Sequence, residues 1–130
     1  MRTQGGCFKA DSVNADIFYV TLEKDPKHFT PTTLYNDYPI SPTRFHWESQ
    51  GVTRAESDTG RRYQATSASW RKLLFVRQSK ETATGVTAPY LFLGPVRYMS
   101  HESEKPMQIT WELERAMPAS FFSEVKIAAG

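Results

Sequence analysis

Cysteine is nearly absent from this sequence, because Cys7 is the only one among 130 residues. A single cysteine excludes an internal disulfide framework and any zinc cluster built on several thiolates, and it fits a reducing compartment best. Long apolar stretches are also missing, since runs such as 73–76 (LLFV) are far too short to span a membrane. The N-terminal residues 1–6 lack the apolar core of a signal peptide. These absences predict a cytoplasmic protein, or a piece of one, with no membrane partner.

Recognisable catalytic and metal-binding motifs are missing as well. The histidines His28, His46 and His101 lie far apart and do not show the spacing of a metal site. The chain has no glycine-rich phosphate loop and no serine in a nucleophile elbow. The sequence therefore predicts a binding protein that is not an enzyme, with no cofactor and no metal. A small hydrolase built around His46 or His101 is an alternative.

The composition is that of an ordinary globular protein. Hydrophobic residues make up 39% and charged residues 23% of the chain, and the formal net charge is +2. This balance is too apolar for disorder and mildly basic, which gives weak support for an acidic polymer as partner. We expect a single domain over residues 1–130, with a folded core over about 15–122 and a flexible segment over 1–10.

The charges are unevenly distributed along the chain. Most acidic residues lie near the two ends, whereas the middle carries Arg61, Arg62, Arg71, Lys72, Arg77 and Lys80. A basic middle predicts one positive face if these residues stay together in space. The alternative is an ordinary solvated surface.

Five segments have the composition and length of β-strands. They are residues 16–22, 44–49, 72–78, 90–99 and 108–113. In the fourth, Gly94-Pro95 predicts a bend or bulge, because proline cannot donate to a central ladder. In the last, alternation places Trp111 on the core side. Strands at this frequency, with little helical periodicity between them, predict an α+β, β-rich fold built on a small mixed or antiparallel barrel.

Helix signals are few. Thr30-Pro31 is a start signal for a short helix that Pro39 ends, and residues 118–124 are compatible with a terminal turn or helix. Residues 51–69 are polar and rich in Ser, Thr and Gly, which predicts a long surface loop or hairpin tip. Loops of that length in compact domains are often functional.

Two aromatic segments are candidates for a ligand pocket. Residues 34–40 (LYNDYPI) place two tyrosines around a carboxylate and an amide, and residues 45–50 (FHWESQ) again mix rings with hydrogen-bonding groups. A pocket for a flat heterocycle needs ring faces to stack on and polar groups that read its edge. The alternative is that these rings belong to the core and that Asp37 caps a turn before Pro39.

Other polar residues suggest contacts with a nucleic-acid backbone. Arg61 and Arg62 beside Tyr63 could offer cations to phosphates, although an exposed turn explains them equally well. His101, which follows the predicted bend, is compatible with a structural, hydrogen-bonded histidine.

The motifs FHWxSQ (residues 45–50) and SHExxKPM (residues 100–107) carry a family resemblance. From about Ala15 to about Phe122, the chain resembles the uncharacterised C-terminal domain (domain of unknown function 3427) of bacterial superfamily 2 helicase-like and restriction-type ATPases. The C-terminal domain of some such ATPases is similar to SRA domains, which read modified cytosine in DNA by base flipping. The resemblance therefore implies an SRA- or PUA-like barrel with one or two short helices, excised from a larger helicase or nuclease or standing alone.

This resemblance also implies roles for individual residues at positions that match the family's sequence pattern. The expected partner is double-stranded DNA that carries 5-methylcytosine or a related base, with helicase and nuclease domains in cis or in trans. In the expected pocket, Trp47 and one tyrosine sandwich the base while Asp37 accepts from the cytosine amine. The base-pocket residues are Tyr35, Asp37, Tyr38 and Trp47. The DNA-contacting residues are Arg44, His46, Ser49, Gln50, Arg61, Arg62, Tyr63, Arg77 and His101.

Two further readings belong to other classes. A protein-interaction domain that docks or regulates a helicase predicts an exposed apolar patch without a deep aromatic pocket, and little dependence of function on Asp37. A reader of a different DNA mark, such as a phosphorothioate backbone, predicts an apolar cup beside arginines.

Overall fold

The computed structural model describes residues 6–22 and 37–129. The seven strands are β1 (Cys7–Ala10), β2 (Ala15–Thr21), β3 (Tyr38–Ser41), β4 (Arg44–Glu48), β5 (Arg71–Arg77), β6 (Leu91–Glu102) and β7 (Gln108–Leu113). The two helices are α1 (Asp58–Gln64) and α2 (Ala119–Ala129). Among the described residues, no helix combines the length and the apolar character needed to cross a membrane.

All seven strands belong to one mixed sheet in the order β1-β2-β5-β6-β7-β4-β3. Only the β2–β5 pair is parallel among the described strands, and the other neighbours are antiparallel. The α+β, β-rich class is thus confirmed, whereas the predicted barrel is wrong. A barrel needs its first and last strands to hydrogen-bond; among the described strands, β1 and β3 instead form opposite ends of an open sheet. The composition of strands does not reveal closure.

The open sheet curls around its core. Phe18 of β2 lies 4.7 Å from Trp47 of β4 and 5.3 Å from Trp111 of β7, measured between ring centroids. Three strands separate β2 from β4 in the sheet order, so these rings meet only because the sheet bends strongly. Tyr63 of α1 and Val125 of α2 join the same buried cluster. Both helices therefore lie on the concave face, and the prediction of Trp111 as a core residue is confirmed.

The five predicted strands all occur, shifted at most by a few residues at their ends. The predicted irregularity at Gly94-Pro95 is confirmed, because the β5–β6 register shifts between Leu74 and Phe75 and Gly94 has φ of 98°. The edge strands β1 and β3 were not predicted, because four-residue segments carry too little alternation to detect. Strand β1 occupies part of the segment expected to be flexible.

Helix α1 lies inside the segment expected to be a loop, and that expectation is wrong at residues 58–64. Its start is set by Ser57, whose side chain accepts a hydrogen bond from the Gly60 backbone at 3.0 Å. Only one large apolar side chain, Tyr63, anchors the helix to the core, so its sequence has no apolar periodicity. The helix predicted at Thr30 lies outside the described residues, and the predicted terminal helix is present as α2.

Candidate functional site

A buried carboxylate stands at the start of β2. Asp16 is only 2% exposed, and it accepts hydrogen bonds from Arg62 Nε at 2.7 Å and from Arg62 Nη2 at 2.9 Å. Trp70 Nε1 donates a third bond to the same carboxylate at 2.9 Å. The hydrogen bond to Asp16 raises the pKa of Arg62 above its ordinary value, so the guanidinium stays charged. A bidentate pair fixed by a third donor holds both side chains in one orientation.

An open cavity of about 270 Å³ lies beside this pair. Strands β1 and β2, helix α1 and the segment after β4 all contribute to its walls. The lining residues are Cys7, Phe8, Lys9, Asp16, Gln50, Thr59, Arg62 and Tyr63. Three of the residues predicted to contact DNA, namely Gln50, Arg62 and Tyr63, are therefore brought together from separate segments.

The inner wall of the cavity is neutral. Cys7 Sγ accepts long hydrogen bonds from Tyr63 Oη and from Gln50 Nε2, each at 3.7 Å. Burial raises the pKa of the Cys7 thiol, and burial likewise raises the pKa of the Tyr63 phenol. The thiolate is the reactive form of cysteine, so Cys7 is a packing and hydrogen-bonding group here and not an activated nucleophile.

Aromatic and cationic groups surround the mouth of the cavity. The guanidinium of Arg62 lies 5.6 Å from the Tyr63 ring centroid and 5.9 Å from that of Trp70. Lys9 Nζ lies 5.6 Å from the Trp70 centroid and 3.2 Å from a carboxylate oxygen of Asp11. Cation–π contacts at this range are weakly favourable at exposed sites. The cavity thus combines one compensated charge pair with one exposed lysine.

The basic middle of the chain does not form a single face. Lys72 is 4% exposed and its ammonium donates to the Ala65 carbonyl, while burial lowers its pKa. Arg62 is held by Asp16, and Arg71 is exposed on the other face of β5. Because β5 alternates its side chains between two faces, neighbouring cations in sequence are separated in space.

A second group of predicted residues lies at the β3–β4 edge. Asp37 Oδ1 accepts a hydrogen bond from the Glu48 backbone at 2.9 Å. The Tyr38 ring stacks on His46 with centroids 4.6 Å apart and planes inclined by 12°. Arg44 is exposed and lies two residues before His46, so the two side chains are on the same face of β4. Glu48 is two residues before Gln50, so this edge and the cavity lie at the same end of β4.

Trp47 is a core residue in the described part of the chain. It is 2% exposed and packs against Phe18 at 4.7 Å and against Tyr63 at 5.5 Å. A base could stack on Trp47 only if the core opened, so this part of the predicted sandwich conflicts with the packing. Tyr35, the other ring of that prediction, lies outside the described residues.

The remaining predicted contacts are scattered and mostly hold the fold together. The buried Ser49 hydroxyl accepts from the Met107 backbone at 2.8 Å. Arg77 Nε donates to Thr21 Oγ1 at 2.9 Å, and His101 Nδ1 lies 2.7 Å from Tyr98 Oη. Arg61, in contrast, is exposed on α1 next to Arg62.

Sequence reasoning missed five of the lining residues, which are Cys7, Phe8, Lys9, Asp16 and Thr59. Asp16 offered a signal, because it begins a strand that otherwise reads as apolar on both faces (DIFYVTL). A charge in such a run must find a partner when it is buried. The other four offered none, since their places at the cavity depend on how distant segments meet.

Among the described residues, no group of three or more His, Cys, Asp or Glu side chains is arranged to hold a metal ion. The model of a family described as "Domain of unknown function (DUF3427)" matches residues 1–125 of the chain. No curated protein matches it.

Proposed function

This chain belongs to the DUF3427 family, a domain of unknown function, and we propose that it is a DNA-binding module that reads a modified cytosine in duplex DNA. The base leaves the stack and enters the cavity beside Asp16. One observation carries the proposal: Gln50, Arg62 and Tyr63 meet around a buried carboxylate in a cavity of about 270 Å³. That volume lies just under the range of pockets for drug-sized ligands, which suits a single base.

The cavity offers groups that match the edge of cytosine. Asp16 Oδ2 accepts two hydrogen bonds, from Arg62 and Trp70, whereas Oδ1 accepts one from Arg62. Each carboxylate oxygen can accept two bonds, so Oδ1 can take a further bond from the exocyclic amine of cytosine. The Gln50 amide, with both a donor and an acceptor, suits the remaining ring edge.

The surroundings of the cavity suit the rest of a nucleotide. The neutral Cys7 thiol gives an apolar contact for a group attached at C5 of the base. Lys9 of the cavity and the exposed Arg61 of α1 can contact phosphates, which positions the duplex without reading its sequence. Extruding a base costs a few kcal/mol, which such contacts have to offset.

The Asp37–Tyr38 edge provides a second contact in this proposal. Tyr38 is 36% exposed and its ring is braced by His46, so its outer face can stack on sugar or base. In a larger assembly, helicase and nuclease domains in cis or in trans would act on the DNA that this module selects. The module alone binds and does not cut.

The test measures binding of the full 130-residue chain to matched duplexes with cytosine, 5-methylcytosine or 5-hydroxymethylcytosine. Fluorescence anisotropy at two salt concentrations gives the affinities. We expect tighter binding to a modified duplex. Gln50→Ala should reduce that preference by about threefold to tenfold, the worth of one hydrogen bond, with little change for unmodified DNA. Arg61→Ala should weaken all three duplexes alike and lower the salt slope by about one.

Tyr38→Ala serves as the matched variant for the edge. If Tyr38→Ala removed the preference while Gln50→Ala retained it, the base would bind at the β3–β4 edge and not in the cavity. Weak, equal and salt-sensitive binding to all three duplexes would contradict the reader function altogether.

A further inference from the structure

Four aromatic rings form a continuous row on the convex face of the sheet. Phe75 of β5 lies 4.7 Å from Phe92 of β6 and 5.3 Å from Tyr19 of β2, and Tyr19 lies 5.2 Å from Tyr90. The guanidinium of Arg77 continues the row at 4.3 Å from the Tyr90 centroid. We refer to Tyr19, Phe75, Tyr90 and Phe92 as the aromatic row.

The aromatic row faces away from the core. Alternation along β2 places Tyr19 opposite to the buried Phe18 and Val20. Both helices contribute to the core on the other face, and within residues 6–22 and 37–129 no helix packs over the row. Phe92 is 44% exposed. The other three rings, Tyr19, Phe75 and Tyr90, are half-buried. Apolar patches that are exposed and rimmed by polar residues mark binding surfaces.

The charges around the row are positive. The outward positions of β5 hold Arg71, Leu73, Phe75 and Arg77, and those of β2 hold Ile17, Tyr19 and Thr21. These outward positions carry two arginines and no carboxylate. Arg77 donates from Nε to Thr21 and from Nη1 to the Ala88 carbonyl at 3.1 Å. Among the described residues, no hydrogen bond engages its Nη2, which can therefore donate to a phosphate.

We propose that the aromatic row is a second binding surface, whose ligand is single-stranded nucleic acid. Successive unpaired bases stack on aromatic side chains of a sheet, while cations track the phosphates. The row supplies rings on three adjacent strands, and Arg71 and Arg77 supply cations on the same face. An acidic backbone with exposed π-faces complements this surface, whereas an apolar protein partner would leave the two arginines without counter-charges.

This surface is separate from the cavity beside Asp16. Asp16 and Ile17 are consecutive in β2 and therefore lie on opposite faces of the sheet. The inference goes beyond the proposed reading of a modified base, and neither depends on the other.

The experiment measures binding of the full chain to a fluorescein-labelled oligothymidine of about 16 nucleotides, a length at the upper end of one small domain's site. Phe92→Ala should weaken binding about fivefold to a hundredfold, the effect of losing one stacked base. The matched control is Leu91→Ala, because Leu91 is 40% exposed and adjacent in sequence, and its partner on β5 is Val76, which faces the core and not the row. It should leave the affinity unchanged. Far-UV circular dichroism checks that both variants are folded.

Three results would overturn the inference. The first is absence of oligothymidine binding by the unaltered chain, and the second is an equal effect of the two substitutions. The third combines two observations: oligothymidine does not bind, and analytical ultracentrifugation shows a concentration-dependent self-association that Phe92→Ala removes. The aromatic row would then be a surface for a second copy of the chain. Gln50→Ala should leave oligothymidine binding intact, so failure of the base-reading proposal is distinguishable from failure of this one.

Discussion

Asp16 is a buried carboxylate that is held by three hydrogen bonds from Arg62 and Trp70. Its carboxylate is 2% exposed and is balanced by Arg62, whose side chain is 21% exposed. Taking a carboxylate out of water is costly unless its partners replace the lost solvation. Asp16 therefore holds Arg62 and Trp70 in place, and through them the wall of the cavity.

Asp16→Ala should lower the free energy of unfolding by about 3 kcal/mol, because it leaves Arg62 without the partner that compensates its partial burial. Urea unfolding followed by circular dichroism measures this loss. The control is Asp11→Ala, which breaks the ion pair with Lys9. The side chains of Asp11 and Lys9 are 75% and 50% exposed, so this substitution should lower the free energy of unfolding by less than about 1 kcal/mol. Equal losses in the two variants would contradict the argument.

The buried thiol of Cys7 should make the stability of the protein depend on pH in the alkaline range. Burial raises its pKa above the ordinary value of 9.0, so the folded state keeps a proton that the unfolded thiol has lost. The unfolded state then binds fewer protons, and stability must fall as the pH rises past 9.0. The lowered pKa of the buried Lys72 makes stability rise with pH, but Lys72 is present in all the variants compared and its effect cancels.

In urea titrations between about pH 7 and about pH 10, the stability of the unaltered chain should fall relative to that of Cys7→Ala. Val96→Ala, a buried substitution that removes no titratable group, should keep a constant difference from the unaltered chain. A constant difference for Cys7→Ala as well would show that burial does not protect the thiol proton.

Helix α1 shows how an element can form without apolar periodicity. Its N-cap is Ser57, and its single buried large side chain is Tyr63. Gly60 allows the helix to approach the preceding segment, because a Cβ at that position would lie 2.0 Å from the Arg54 carbonyl oxygen. The helix thus depends on one close backbone contact, and it carries Arg62 and Tyr63 to the cavity.

Gly60→Ala should destabilise the protein by about 1–3 kcal/mol, since the added methyl group overlaps backbone that cannot move aside. This sign is the reverse of the ordinary helix preference for alanine over glycine. Gly51→Ala is the control, because nothing lies within 4 Å of its Cβ position, and it should change stability by less than about 0.5 kcal/mol. Thermal unfolding of both variants decides the point. A stabilised Gly60→Ala would mean that α1 does not approach Arg54 so closely.

At the scale of the whole molecule, the curl of the sheet creates the cavity. Strands β1 and β4 are far apart in the sheet order, yet Gln50, just after β4, reaches Cys7 of β1. The same curl separates two surfaces. The concave side leads to the cavity beside Asp16, and the convex side carries the aromatic row.

Most regular elements were predictable because their signals are local. The run at Gln108–Leu113 alternates cleanly and forms β7 with those bounds, and Gly94-Pro95 correctly predicted a bulge. Strands β1 and β3 were missed because four residues show too little alternation, and helix α1 was missed because only one of its large side chains faces the core. The candidate site was predicted only in part: Gln50, Arg62 and Tyr63 do line one cavity, whereas Trp47 is a core residue.

The sequence by itself determined the β-rich class, five strands and the family resemblance, because alternation, turn residues and short motifs are properties of neighbouring positions. Only the tertiary structure decided that the sheet stays open, that Trp47 is buried, and that Cys7, Asp16 and Gln50 meet. The physical reason is that burial and strand order depend on which apolar faces pack together. That choice minimises the free energy of the whole chain, and no single segment contains it.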